Sequence, residues 1–195
     1  MKLSILILTH NRPELYKRCL LSVLKNKPHD VEILVNNDTD DIVEFGEVKY
    51  FYEKSNNLSD IYLTLFNEST GEFVWFLEDD DYMMPHFYDN IDFSYDINYI
   101  NYIMVGTKES DYVKLIRNFK MEESNVNFQL SQILFKRSLV SNFPDNNDLD
   151  NDWNLFCHIK EKTDSIKVIK KFMWVQTTDG KDNISFPEYN KDIRW

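Results

Sequence analysis

Four consecutive acidic residues, Glu78, Asp79, Asp80 and Asp81, stand in the stretch FLEDDDYMMP (76–85), behind the apolar run FVWFL and before Pro85. Carboxylates this close repel one another unless something neutralises them. A hard divalent cation with oxygen ligands is the economical solution. The plainer reading is a solvated acidic loop in which Asp81 caps a following helix. FVWFL weighs against that, because a strand so apolar is too buried to be a sheet edge, and its end belongs inside the protein. A second acid-rich stretch, PDNNDLDND (144–152), lacks the central glycine and terminal glutamate of an EF-hand loop, so a calcium-binding module is disfavoured.

The elements that must position such a loop follow from hydrophobic period. LSILILT (3–9) and VEILVN (31–36) are near-continuous apolar runs, the pattern of strands buried on both faces. Between them, Asn11 or Arg12 suits a helix cap and Pro13 the first turn, and Leu15, Cys19, Leu20, Val23 and Leu24 fall on one helical face. This strand–helix–strand unit has the spacing of a right-handed parallel crossover. VKYFY (48–52) reads as a third strand, 59–68 as a helix capped by Ser59 or Asn57, and FVWFL (73–77) as a fourth strand entered through a turn at Gly71. Further on, 99–106 and 111–116 read as strands and FQLSQILF (128–135) as strand or helix. Residues 152–162 read as an amphipathic helix and 165–176 as a final strand. The alternation predicts an α/β fold, a doubly wound, mostly parallel sheet with helices on both faces. In such sheets ligands bind beyond the carboxyl ends of the strands, where THNR (9–12), NNDTDD (36–41) and EDDD (78–81) leave.

The whole chain narrows the partners. At 195 residues with 43% hydrophobic content it suits a single domain with a real core. A formal charge of −11 disfavours strong binding to nucleic acid or to anionic membrane, and an acidic protein that holds a polyanion recruits a metal ion. Two distant cysteines indicate free thiols in a reducing compartment, and the apolar N-terminus is too short to span a bilayer and is followed by no cleavage site. The expected location is the cytoplasm, or a host cytoplasm for a viral source. The abrupt ending NKDIRW suggests a domain cut from a longer chain.

Four stretches in order resemble the inverting family-2 nucleotide-sugar glycosyltransferases of the GT-A fold. ILTHNRPELYKRCLLSVL resembles the family's opening T-x-N-R and L-x-S-L signature, and VEILVNNDTDD its I-V-V-D-D/N-x-S-x-D. NNLSDIYLTLFNESTGEFVWFLEDDDYMMP resembles N-x-G, A-R-N and F-L-D-x-D-D-x-x-x-P, and LFKRSLVSNFPDNNDLDNDWNLFCHI resembles an F-R-R block followed by E-D-W-x-L. The match runs from residue 1 to about 160. It implies one GT-A domain, 1–195, with a nucleotide-sugar half (1–100) and a smaller acceptor half (101–195).

The resemblance also implies roles. Thr9, His10, Asn11 and Arg12 begin the nucleotide pocket, and Asn36, Asn37 and Asp38 meet the base and ribose, with asparagines in place of the usual aspartates. Amides donate and accept, so base recognition survives. Asn57 matches N-x-G, with Ser59 in place of the glycine. Asp80 would ligate Mn²⁺ or Mg²⁺ on the donor diphosphate, Asp79 would lie near the ribose, and Glu78 and Asp81 would support the metal. Asp152 matches the general base, with Asn151 in place of the expected glutamate and Asp150 as alternate, although its residue type also suits a cap for the helix at Trp153. Trp153 suits either sugar stacking or core packing. The family's C-terminal metal-ligand histidine is missing from WVQTTDGKDNIS, where Asp179 is the nearest substitute. The implied reaction moves a sugar from a UDP-sugar to an acceptor hydroxyl, a glycan's by preference, by single displacement. A nucleotidyltransferase ranks below because THNRPE lacks a glycine-rich loop, and a non-catalytic nucleotide-sugar-binding relative is the alternative that the asparagines at 36, 37 and 151 keep open.

Overall fold

The computed structural model describes residues 2–39, 44–54, 58–106, 113–116, 128–141 and 151–178. Its strands are β1 (Leu3–Thr9), β2 (Val31–Asn37), β3 (Lys49–Phe51), β4 (Phe73–Glu78), β5 (Tyr82–Met83), β6 (Ile97–Gly106), β7 (Val113–Ile116), β8 (Ile133–Lys136) and β9 (Ile166–Thr178). Its helices are α1 (Pro13–Leu24), α2 (Leu58–Glu68) and α3 (Asn151–Lys160). No helix among the described residues is long and apolar enough to cross a membrane.

The strands form one sheet in the order β3-β2-β1-β4-β8-β6-β9-β5, with β7 added to β6. β1 runs parallel to β2 and β4, and β2 parallel to β3. β8 is antiparallel to both β4 and β6, and these two reversals restore the original direction. β6 and its parallel partner β9 therefore run the same way as β1. Among the described strands, β1, β2, β3, β4, β6 and β9 share one direction, and the sheet is mixed but dominated by it.

Side-chain alternation splits the core between the two faces. Leu3, Ile5 and Ile7 of β1 join Val31, Ile33 and Val35 of β2 and Phe73, Trp75 and Leu77 of β4 beneath Tyr16, Cys19, Leu20 and Val23 of α1. On the other face, Leu6, Leu34, Val74 and Phe76 meet Leu65 and Phe66 of α2 and Leu155, Phe156 and Ile159 of α3. Each fully buried side chain of this kind contributes roughly 1.5–3 kcal/mol, more than the propensity difference between ordinary helical residues, so the buried stripe holds α1 in place. Tyr16, rather than Leu15, belongs to that stripe.

Several boundaries differ from the sequence reading. The ambiguous stretch 128–135 is one tight helical turn, Leu130–Gln132, running directly into β8. β6 begins two residues earlier than expected, at Ile97. The two-residue strand β5 had no sequence signal, because so short an element has no period. Ser59 lies inside α2 rather than at its cap, Asp152 lies inside the first turn of α3, and Asn57 falls outside the described residues. Arg12 is the cap residue of α1 without a side-chain capping bond, and Pro13 follows it. With few glycines available, asparagines take the left-handed positions, Asn11 at φ 51° and Asn26 at φ 62°.

The end of the sheet opposite the acidic loop is tied by Glu32. Its carboxylate accepts from Ser4 Oγ at 2.7 Å, from the Thr70 N–H and hydroxyl, from the Gly71 N–H, and from Lys49 Nζ at 2.7 Å. Burial raises its pKa, but the bonds from Lys49, Ser4 and Thr70 outweigh burial and hold it down at about 2. A Cβ on Gly71 would stand 2.5 Å from the backbone nitrogen of Ser4 and 2.8 Å from the Leu3 carbonyl carbon, which strand pairing keeps from moving. Gly71→Ala should therefore cost about 2 kcal/mol or more, read as a lower urea midpoint. Because the folded pKa of Glu32 lies below its ordinary value of 4.5, its contribution is full above about pH 4.5 and fades as pH falls towards 2. The stability gap between wild type and Glu32→Gln, followed by urea denaturation from pH 7 to pH 3, should narrow at the acid end.

Candidate functional site

Parallel pairing delivers three polar loops to one rim. Thr9 is level with Asn37, and Leu8 with Glu78, so the loops leaving β1, β2 and β4 begin side by side. The acidic loop is not solvated: Asp79, Asp80 and Asp81 are each 3% exposed or less, and Glu78 is half-buried. Nor does Asp81 cap a helix, since β5 follows it.

Glu78, Asp80 and Asp81 each bring a carboxylate oxygen within 4.8 Å of the others. At an effective dielectric constant of about 20, two unit charges 4.8 Å apart repel by about 3.5 kcal/mol, so a cation is needed to keep all three charged at little cost. Burial, reinforced by Asp80 and Asp152, pushes Glu78 up to about 8. Burial likewise raises Asp81, with Asp80 and Glu78 adding to it, against the Thr177 N–H. Asp81 Oδ1 accepts that N–H at 3.0 Å, while its Oδ2 is buried with no partner among the described residues. Three convergent carboxylates, one of them with a buried oxygen that has no partner among the described residues, fit a divalent cation.

Asp79 points elsewhere. Arg12 lies 2.8 Å from its Oδ1 and 3.2 Å from Asp80 Oδ2, so one guanidinium joins both carboxylates. Burial raises Asp79 to about 7, against Arg12 and, more weakly, the Thr9 hydroxyl. Thr9 is buried at the end of β1, whereas Asn11, in its left-handed turn, faces solvent. His10 Nδ1 lies 2.6 Å from Asp38 Oδ2 and joins the loops after β1 and β2, leaving Asp38 Oδ1 without a partner among the described residues. The two asparagines that stand where the family pattern has aspartates bond to neighbouring chain at the rim. Asn36 exchanges two bonds of 3.0 Å with the Glu53 backbone, and the Asn37 side-chain oxygen accepts from the Thr39 N–H and hydroxyl.

Asp152 reaches the same rim from α3. Its charge acts on Glu78 and on Tyr62, and its Oδ2 accepts from the Leu130 N–H at 3.3 Å. Burial raises its pKa against that bond. Trp153 is half-buried and packs against the core, 5.6 Å from the Phe128 ring and 5.2 Å from the Phe156 ring. Asn57, Asp150 and Asp179 lie outside the described residues. The sequence reading missed Tyr62, which stands edge-on to Phe76 on α2 beside Asp152, and also missed Arg18 and Thr177 around the acidic loop. Cys19 lies buried against the same loop, its thiol donating to the Glu78 carbonyl at 3.4 Å.

A model of glycosyl transferase family 2 matches residues 4–150, a span that holds β1 to β4 and all three rim loops. The chain belongs to that family. No curated protein sequence matches this family-2 chain. Among solved structures it is similar to TarS 1–349 of S. aureus, with a TM-score of 0.66 at 19% identity over 91% of this chain and 61% of that one. It is similar to the same TarS segment in complex with UDP-GlcNAc, with a TM-score of 0.68 at 18% identity over 95% of this chain and 61% of that one. Against the longer TarS structure the TM-score is 0.67 at 19% identity, over 93% of this chain and 38% of that one. The family-2 chain thus spans about three fifths of the TarS 1–349 segment and shares the GT-A fold with it.

Replacing Arg12 strands two buried carboxylates. Arg12→Met should lower stability by about 3 kcal/mol at pH 8, measured by urea denaturation in EDTA.

Proposed function

We propose that the domain transfers a sugar from a nucleotide-sugar donor, a UDP-sugar, to an acceptor hydroxyl, inverting the anomeric centre in a single displacement. The observation that carries this reading is the convergence of Glu78, Asp80 and Asp81 at the strand rim, with Asp152 of α3 acting on one of the three, Glu78. Membership of family 2 supports the reaction class. The TarS segment with a similar fold has structures in complex with UDP-GlcNAc and with UDP, which supports uracil as the base.

On this reading residues 1–100 form the donor half and 101–195 the acceptor half. Asp80, with Glu78 and Asp81, would hold Mn²⁺ or Mg²⁺, which supplies positive charge for the donor diphosphate and for the leaving group. Arg12 leaves its carboxylate partners in part to meet phosphate oxygens, a geometry its planar fork suits. Thr9, Asn11, Asn37, Asp38 and Asn57 line the nucleotide side, Asn37 by shaping the loop, and Asp79 lies towards the ribose. Asp152 takes the acceptor proton as the new C–O bond forms and the bond to the diphosphate oxygen breaks. Its burial-raised pKa brings it nearer neutrality, where a general base is most effective. The acceptor hydroxyl is a glycan's on this reading, and the two free thiols suit a reducing cytoplasm.

Asp80→Asn should abolish Mn²⁺-dependent UDP binding and sugar transfer together. Asp152→Asn should keep UDP binding within about twofold while lowering turnover about a hundredfold or more. Turnover is read as release of UDP from a panel of UDP-sugars with oligosaccharide acceptors. Full turnover by Asp152→Asn would remove Asp152 as the base. A wild-type protein that bound UDP-sugars without turning any over would favour the non-catalytic relative.

A further inference from the structure

Two side chains outside the carboxylate set grip the acidic loop from neighbouring elements. Arg18, on α1, donates to the main-chain carbonyl of Asp80 and, at 3.1 Å, to Thr177 Oγ1, and its guanidinium lies 5.1 Å from the Tyr82 ring centroid. Thr177, 2% exposed near the end of β9, donates its hydroxyl to the same Asp80 carbonyl and its N–H to Asp81 Oδ1. The Asp80 carbonyl thus takes two donors, and the Asp81 carboxylate, one of the three that converge, is fixed through Oδ1 while its Oδ2 is buried with no partner among the described residues.

We propose that Arg18 and Thr177 are positioning residues that set how Asp80 and Asp81 face Glu78, and so set the affinity of this cluster for a divalent cation. The inference rests on the reading of the cluster as a cation site. The physical reason is preorganisation. Rotation of the peptide between Asp80 and Asp81 would turn a carboxylate away from the cluster, and two donors on the Asp80 carbonyl oppose that rotation. The Thr177 N–H on Oδ1 holds the Asp81 carboxylate in the rotamer it has in the cluster. A ligand set ordered by folding does not have to be ordered again when the ion binds, and partners that orient ligands in this way typically change metal affinity by about 10- to 100-fold. β9 delivers Thr177 to the rim because it runs parallel to β6, in the direction of β4.

The test is Mn²⁺ binding to the full chain without donor, followed by electron paramagnetic resonance of the free ion and repeated with UDP. Melting in EDTA reports the fold of each variant. Thr177→Val removes the hydroxyl and keeps the branch and the N–H. It should weaken Mn²⁺ binding about tenfold or more. Thr177→Ser restores the hydroxyl and should return binding to within about twofold of wild type. Arg18→Lys keeps the charge but loses the fork, and should also weaken binding. If Thr177→Val folds and binds Mn²⁺ as wild type does, or if serine fails to rescue, the positioning role is overturned while the cation site stands. Should Thr177→Val fail to fold, Arg18→Lys decides in the same way. A wild-type chain that binds no Mn²⁺ with or without UDP overturns the cation reading and this inference together.

Discussion

Neutralising the negative charge buried where β4 leaves the core is the constraint on which the rest of the rim depends. Arg12 approaches Asp79 and Asp80 from the loop before α1, and Arg18 reaches the Asp80 carbonyl from within α1. Arg12 stands at the cap of the helix that carries Arg18, so the apolar stripe of α1 also places charge. Cys19 occupies the same turn and uses its thiol on the Glu78 carbonyl, where burial and the neighbouring aspartates raise its pKa and keep it protonated. A cation at Glu78, Asp80 and Asp81 would complete a balance that the arginines begin.

Two glutamates show how strongly environment decides the state of a carboxyl group. Glu32 and Glu78 lie towards opposite ends of the parallel strands, and both lose water. Glu32 is surrounded by donors and sits at about 2, whereas Glu78 is surrounded by carboxylates and sits at about 8. The first end of the sheet is therefore satisfied and serves stability. The second is left short of positive charge, the condition of a site that awaits a ligand.

The reversal at β8 has a consequence for that second end. Entered antiparallel between β4 and β6, it lets the second half of the chain return to the original direction, so that β9 finishes beside the acidic loop rather than at the far edge. The same segment seats α3. Phe128 stacks on Phe156 at 4.6 Å, and the turn at Leu130 gives its N–H to Asp152. Packing on the face of the sheet opposite α1 thereby brings the candidate base to the rim.

Local pattern was enough for the first half of the chain. The runs 3–9, 31–36 and 73–77 became β1, β2 and β4 almost residue for residue, because a strand buried on both faces is apolar throughout, and the helical stripe of α1 differed in Tyr16 for Leu15 and in Leu24, which is half-buried. The acidic stretch also announced itself, since four adjacent carboxyl groups directly behind a core strand are held inside the protein, where they require a counter-charge. What the sequence could not determine is which groups supply that charge and which oxygens remain open. Arg18 and Thr177 have no local signature, being separated by most of the chain, and Asn36 and Asn37 carry the same amide whether they face a base or, as here, bond to main chain and to Thr39. Hydrophobic period is a property of neighbours along the chain and can be read there, whereas the partners of a polar atom are chosen by distance in space, and only the closed sheet sets those distances.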